Sequence, residues 1–222
     1  MDGFDAASKV AMILAMLTQA FRYAYEPFVF AGQRDGDNRP LYARAMKYFV
    51  IFGLLAFLAV MFYLDLLKYL IGPGYWPGLR VVPIVMAAEL LMGVYFNLSF
   101  WYKLSDQTRW GAYFSLIGCA IVILLNVLFV PRYGYMACAW AGLAGYGAAA
   151  LLSYAVGQRR YPIAYDVRGM MRYVFLAVAL YVAAEYLPID LPWLALAYKT
   201  FLLVLYALYV YQREFSRRPK VA

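Results

Sequence analysis

The chain has 222 residues, 66% of them hydrophobic and 14% charged, and a mean hydropathy of +0.65. A soluble domain needs more polar surface than this to cover itself, so the composition excludes an ordinary soluble protein and predicts a polytopic membrane protein. The formal charge of +8 does not mean a nucleic-acid partner, because the Lys and Arg residues sit at the ends of apolar runs. The absence of His removes His-based metal sites, His general bases and Ser-His-Asp triads.

A bilayer crossing takes about 20 helical residues. By that measure the chain predicts an all-α protein of seven spans: Ala6–Ala31, Tyr42–Ile71, Leu79–Lys103, Thr108–Val130, Tyr133–Gly157, Gly169–Leu187 and Pro192–Tyr211. The first two exceed the need and predict tilt or overhang. Gly- and Pro-rich stretches separate several of them, as in Gly72-Pro73-Gly74-Tyr75-Trp76-Pro77-Gly78 and Leu187-Pro188-Ile189-Asp190-Leu191-Pro192. A signal peptide would open with basic residues; this chain opens Met-Asp-Gly-Phe-Asp.

The first span is the most polar. Ser8, Gln19, Arg22 and Glu26 share one stripe with Ala15, and Arg22 and Glu26 are four residues apart. Charge at mid-membrane costs about 2.5–3.5 kcal/mol on insertion scales, so such residues face protein or a wet cavity. The stripe therefore reads either as a cavity lining or as a structural ion pair. Pro27 follows directly and predicts a kink.

In the third span Glu89 lies near mid-depth, where desolvation disfavours a bare charge. It reads as an ion-coupling site or as a hydrogen-bonded acid. Asn97 follows eight residues later, on roughly the same face. Asn126 in the fourth span predicts a helix-to-helix hydrogen bond. The fifth span carries Gly134, Gly142, Gly145 and Gly147 among many Ala residues, which predicts close helix packing. Cys119 and Cys138 read as small buried hydrophobes. Lys199 near the start of the last span can snorkel, and neither it nor Glu185 suggests chemistry.

Lys and Arg alternate between rich and poor gaps. Arg34, Arg39, Arg44 and Lys47 fill the first; Lys103 and Arg109 flank the third; Arg159, Arg160, Arg168 and Arg172 fill the fifth; Arg213, Arg217, Arg218 and Lys220 close the chain. The intervening gaps hold Lys68, Arg80 and Arg132. The positive-inside rule then predicts a cytoplasmic C-terminus and, with seven spans, an N-terminus outside. Such a start is also what a piece of a longer protein would show.

Several segments carry a resemblance. Gln19-Ala20-Phe21-Arg22-Tyr23-Ala24-Tyr25-Glu26-Pro27-Phe28 resembles the QAFRxxxEPF segment of bacterial oligosaccharide flippases. Tyr95 to Asp106 (YFNLSFWYKLSD) and Thr108 to Tyr113 (TRWGAY) resemble segments of the same family. Asn126 to Met136 (NVLFVPRYGYM) is similar to its NxxLIPxxGxxG segment, with Ala137 or Cys138 at a small-residue position, and Gln158 to Ile163 (QRRYPI) to its QxxYPI loop. These segments run in the family's order and belong to the polysaccharide branch of the multidrug/oligosaccharidyl-lipid/polysaccharide exporter superfamily.

The resemblance implies two lobes of helices around a cavity, of which this chain matches the eighth helix to the last. It implies a partial MATE-like lobe over residues 1–157 and two additional spans with a basic tail over 158–222. The implied activity moves undecaprenyl-diphosphate-linked oligosaccharide across the bacterial inner membrane for surface polysaccharide, with no enzyme chemistry and no cofactor. The implied partners are the lipid-linked oligosaccharide, membrane lipids and a missing N-terminal lobe. Arg22 would hold an anionic pyrophosphate or acidic sugar. Gln19, Glu26 and Asn97 would line the cavity, and Glu89 or Glu26 would couple an ion. A cation-coupled drug antiporter of the same superfamily is the alternative. A polyprenyl-phosphate-dependent glycosyltransferase is disfavoured by the lack of paired acids.

Overall fold

The computed structural model describes residues 39–70, 73–186 and 191–215, together with 16, 19, 20 and 23. Among them the chain is helical with no strand, and six helices are long and apolar enough to cross a membrane. The protein is thus an all-α polytopic membrane protein. The expected first span lies outside the described residues except for Met16, Gln19, Ala20 and Tyr23, which are helical and exposed.

Helix α1 is Arg39–Phe62, α2 Val82–Leu98, α3 Phe100–Leu104, α4 Arg109–Tyr133, α5 Tyr135–Arg160, α6 Val167–Tyr186 and α7 Pro192–Val210. The expected second span is shorter than its apolar run. Twenty-four residues of α1 already cover about 36 Å, more than the hydrocarbon thickness. The chain then leaves through short helical turns at Leu64–Leu67, Lys68–Leu70 and Pro73–Val81. The third expected span breaks at Ser99, whose hydroxyl and N–H both bond to the Phe96 carbonyl at 2.6 and 3.1 Å. That local tightening separates α2 from α3. Between α4 and α5 the chain turns on Gly134 at φ 59°, ψ −142°, a conformation open to glycine and hardly to other residues. Asp166 caps α6 by accepting the Gly169 N–H at 2.9 Å.

Helix α1 is the hub. It packs against α2, α6 and α7 and is the most buried span. Helix α5 packs against α2 on one side and α4 on the other, leaving α4 as the least buried span at the edge. The core around α1 holds Phe49, Leu54 and Leu58 with Trp101, Tyr173 and Tyr206 from its neighbours.

The α4–α5 contact uses the small residues expected of the fifth span. A Cβ on Gly118 would sit 3.1 Å from the Gly145 carbonyl oxygen, and one on Gly145 would sit 3.0 Å from that of Gly118. The two backbones touch, so dispersion between them replaces side-chain packing. Asn126 does not supply the expected cross-helix bond: its Oδ1 is buried with no hydrogen-bond partner among the described residues. Cys138 is half-buried, but Cys119 is exposed, on the outer face of α4 rather than in the bundle.

The alternating charge of the gaps reappears as two ends of the bundle. Lys47 meets Asp166 and Glu214, and Arg160 meets Gln107. The Lys- and Arg-rich gaps therefore gather at one end. At the other, Lys199 and Lys68 both reach Asp65. Lys199 is thus an ion-pair member as well as a snorkelling cation.

Replacing Gly145 with Leu should force α4 and α5 apart and cost about 1–3 kcal/mol, read as a lower thermal midpoint of the purified protein in detergent. Gly142→Ala is the control. Its added methyl meets nothing within 4 Å, and its midpoint should stay at the parent value.

Candidate functional site

The sequence nominates Gln19, Arg22, Glu26, Glu89 and Asn97. Arg22 and Glu26 lie outside the described residues, and Gln19 is an exposed helical residue. Glu89 and Asn97 both sit on α2 but differ in surroundings. Asn97 is buried, and its amide donates to the Gly93 carbonyl at 3.0 Å, within its own helix. Glu89 is half-buried between α2 and α5, and its Oε2 is buried with no hydrogen-bond partner among the described residues. Tyr146 of α5 lies within its electrostatic range. Glu89 is therefore a carboxylate at membrane depth that the helix packing leaves unsatisfied.

The segments at the basic end converge. Trp101 is fully buried beneath α5, where its indole N–H donates to Ser153 Oγ at 3.2 Å and its ring fills the space that a Gly157 side chain would need. Tyr95 shares a hydrogen bond with Ser115 at 3.1 Å, and Tyr102 lies against Gly111. Trp110 stacks on Phe114 and receives the Arg160 guanidinium over its face at 4.7 Å. Gln158 donates to the Ile163 carbonyl at 2.7 Å, shaping the loop that follows α5. Residues 95–113 and 158–163 thus form one aromatic knot joining α2, α3, α4 and α5.

A second polar cluster at this end was missed by the sequence reading. Lys47 Nζ lies 2.6 Å from Glu214 Oε1 and 3.4 Å from Asp166 Oδ2, while Tyr173 donates to Glu214 at 2.5 Å. The available signal was that Asp166 and Glu214 are acids in otherwise basic gaps. The Gly169 N–H, and then Lys47, hold the Asp166 carboxyl below the ordinary carboxylate range. Among the described residues no group of three Cys, Asp or Glu side chains is placed to hold a metal ion.

These features define a helical membrane protein with an unsatisfied intramembrane acid and an aromatic, basic end. No protein family, curated protein or solved structure matches the chain.

Because folding depresses the Asp166 pKa, its contribution is full above the ordinary Asp value and is lost as pH falls through the lowered one. The thermal midpoint should drop on acidification below about pH 4, and less steeply in Asp166→Asn, which keeps the cap without the charge. Asp166→Ala removes the cap as well and should cost about 0.5–2 kcal/mol at neutral pH.

Proposed function

We propose that this chain supplies the C-terminal helices of a transporter that flips undecaprenyl-diphosphate-linked oligosaccharide across the bacterial inner membrane. The observation that carries the reading is the ordered set of flippase-like segments running from Gln19 to Ile163. The packing supports it in one respect: residues 95–113 and 158–163, distant in sequence, meet in one knot, as parts of a shared architecture would. The reading puts the C-terminus in the cytoplasm, and the gathering of the rich gaps at the end from which α7 leaves supports it.

In this reading no bond of the substrate breaks. The protein exposes a central cavity alternately to each side by rocking one lobe against another. Arg22 presents a fixed fork to the pyrophosphate, Gln19 and Asn97 belong to the cavity-facing helices, and Glu26 or Glu89 couples the motion to an ion. The unsatisfied carboxylate of Glu89 also favours a second reading, a cation-coupled drug antiporter, in which an intramembrane acid exchanges a cation against a proton.

Arg22→Ala and Glu89→Gln, introduced into the transporter in its native cell, should each reduce surface polysaccharide at least tenfold with membrane insertion unchanged. Normal surface glycan in both would sink the flippase reading. Resistance to cationic drugs that depends on Glu89 would establish the antiporter instead.

A further inference from the structure

We propose that the short helical turns after α1, at Leu64–Leu67, Lys68–Leu70 and Pro73–Val81, lie in the headgroup layer of the bilayer rather than in water. They form the widest part of an aromatic collar that binds lipid around the end opposite the basic one.

The exposed tryptophans carry the first argument. Trp76, Trp140 and Trp193 are exposed and all lie toward this end, whereas Trp101 is buried and Trp110 half-buried at the other. Tyr69, Tyr133 and Tyr186 extend the collar at 73%, 60% and 82% exposure, so none of them is packed into the bundle. The six come from separate elements: α4 ends on Tyr133, α5 has Trp140 in its second turn, α6 ends on Tyr186, α7 opens Pro192-Trp193, and the turns hold Tyr69 and Trp76. Rings with an apolar body and a polar edge favour the boundary between hydrocarbon and headgroups. Arg80, Arg132 and Glu185 are exposed among them, which sets the level at the headgroups and not in the hydrocarbon.

Spacing agrees. From Trp140 to Arg160 along α5, and from Trp193 to Arg213 along α7 and the turn beyond it, is about 30 Å of helix, the thickness of the hydrocarbon layer. The collar and those arginines therefore mark the two faces of one bilayer.

The turns are fastened at that level from both ends. Tyr63 and Lys199 contacts tie their start to α7, where the Tyr63 hydroxyl meets Thr200 at 2.9 Å and Lys199 reaches Asp65 at 3.0 Å. Their last residue, Val81, is fully buried in a core cluster with Met61 and Met86. Within the turns Lys68 pairs with Asp65 at 3.1 Å and sits over the Tyr69 and Trp76 rings at 5.7 and 5.6 Å. The Trp76 indole N–H donates to the Lys68 carbonyl at 3.2 Å. The charges of Asp65 and Lys68 and the indole donor are thus matched internally, while Leu66, Tyr69 and Trp76 stay exposed. Such a surface gains from a membrane boundary and not from water.

The test places nitroxide labels at Leu66→Cys and Tyr69→Cys in the full chain carrying Cys119→Ala and Cys138→Ala, reconstituted in dioleoyl phosphatidylcholine liposomes. Collision with oxygen, which concentrates in hydrocarbon, is compared with collision with a water-soluble nickel chelate. The oxygen-to-nickel ratio at both positions should exceed that of the free label in buffer at least about threefold, and stay below that of Leu124→Cys on the exposed face of α4. Trp76 gives a second reading without a label, as the emission lost in Trp76→Phe. Bromines near the carbonyl end of the lipid chains should quench it at least about twofold more than bromines near the chain end. Ratios equal to the free label would make the turns an aqueous loop, and poor access of both reagents would mean a protein contact. Either result, or a Trp76 emission quenched by neither lipid, would overturn the proposal.

Discussion

Helices α1 and α7 are fastened together at three depths, and the arrangement of the bundle follows from that. At the basic end Lys47 pairs with Glu214, just beyond α7. Midway, the buried Tyr206 hydroxyl donates to the Ile51 carbonyl at 3.2 Å. At the far end Lys199 reaches Asp65 at 3.0 Å, and the Tyr63 and Thr200 hydroxyls meet at 2.9 Å. In hydrocarbon, helices gain nothing by hiding apolar surface from lipid, so packing and polar contacts decide which helices associate. Helix α7 is among the least buried spans, and these contacts hold it antiparallel to α1. With α7 fixed, Tyr173 of α6 is drawn to the same Glu214, which sets the third helix of the group.

The other side of the bundle uses a different device. Helices α4 and α5 approach through Gly118, Gly145 and Ala149, with backbone against backbone. No charged pair is needed, since close approach multiplies weak contacts. Helix α2 joins the two regimes, because Gly93 admits the Phe49 ring of α1 on one side while Trp101, just past α2, fills the hollow left by Gly157 of α5 on the other. Small residues act here as sockets for aromatic rings, which explains how a bundle so rich in Phe, Tyr and Trp packs tightly.

Much of this was legible in the sequence, for reasons of scale. Apolar runs report the bilayer thickness directly, so six spans fell close to their expected places, and the charge alternation reported which loops share an end. The close packing of the fifth span was legible because a density of Gly and Ala has few other uses in a membrane helix. What was not legible depended on partners distant in sequence. Nothing near Asp65 announces Lys199, and nothing near Lys47 announces Glu214. The break at Ser99 was hidden inside an unbroken apolar pattern, since a serine can stay in a helix or tighten it with equal local ease. Asn126 looked like a helix-to-helix hydrogen-bonding residue, but its buried Oδ1 finds no partner among the described residues.

The ionisable groups sort by depth, and the sorting bears on function. Lys47, Asp65, Asp166, Lys199 and Glu214 lie near the ends and are paired, so the fold itself accounts for them. Glu89 lies within a span, with a buried oxygen that no described residue satisfies. An unsatisfied polar atom in a buried site costs about 1–3 kcal/mol, and hydrophobic replacements of similar volume would avoid that cost. Among the described residues, packing supplies no partner for that oxygen. Asn97 differs from Glu89 in that its amide already donates to the Gly93 carbonyl of its own helix.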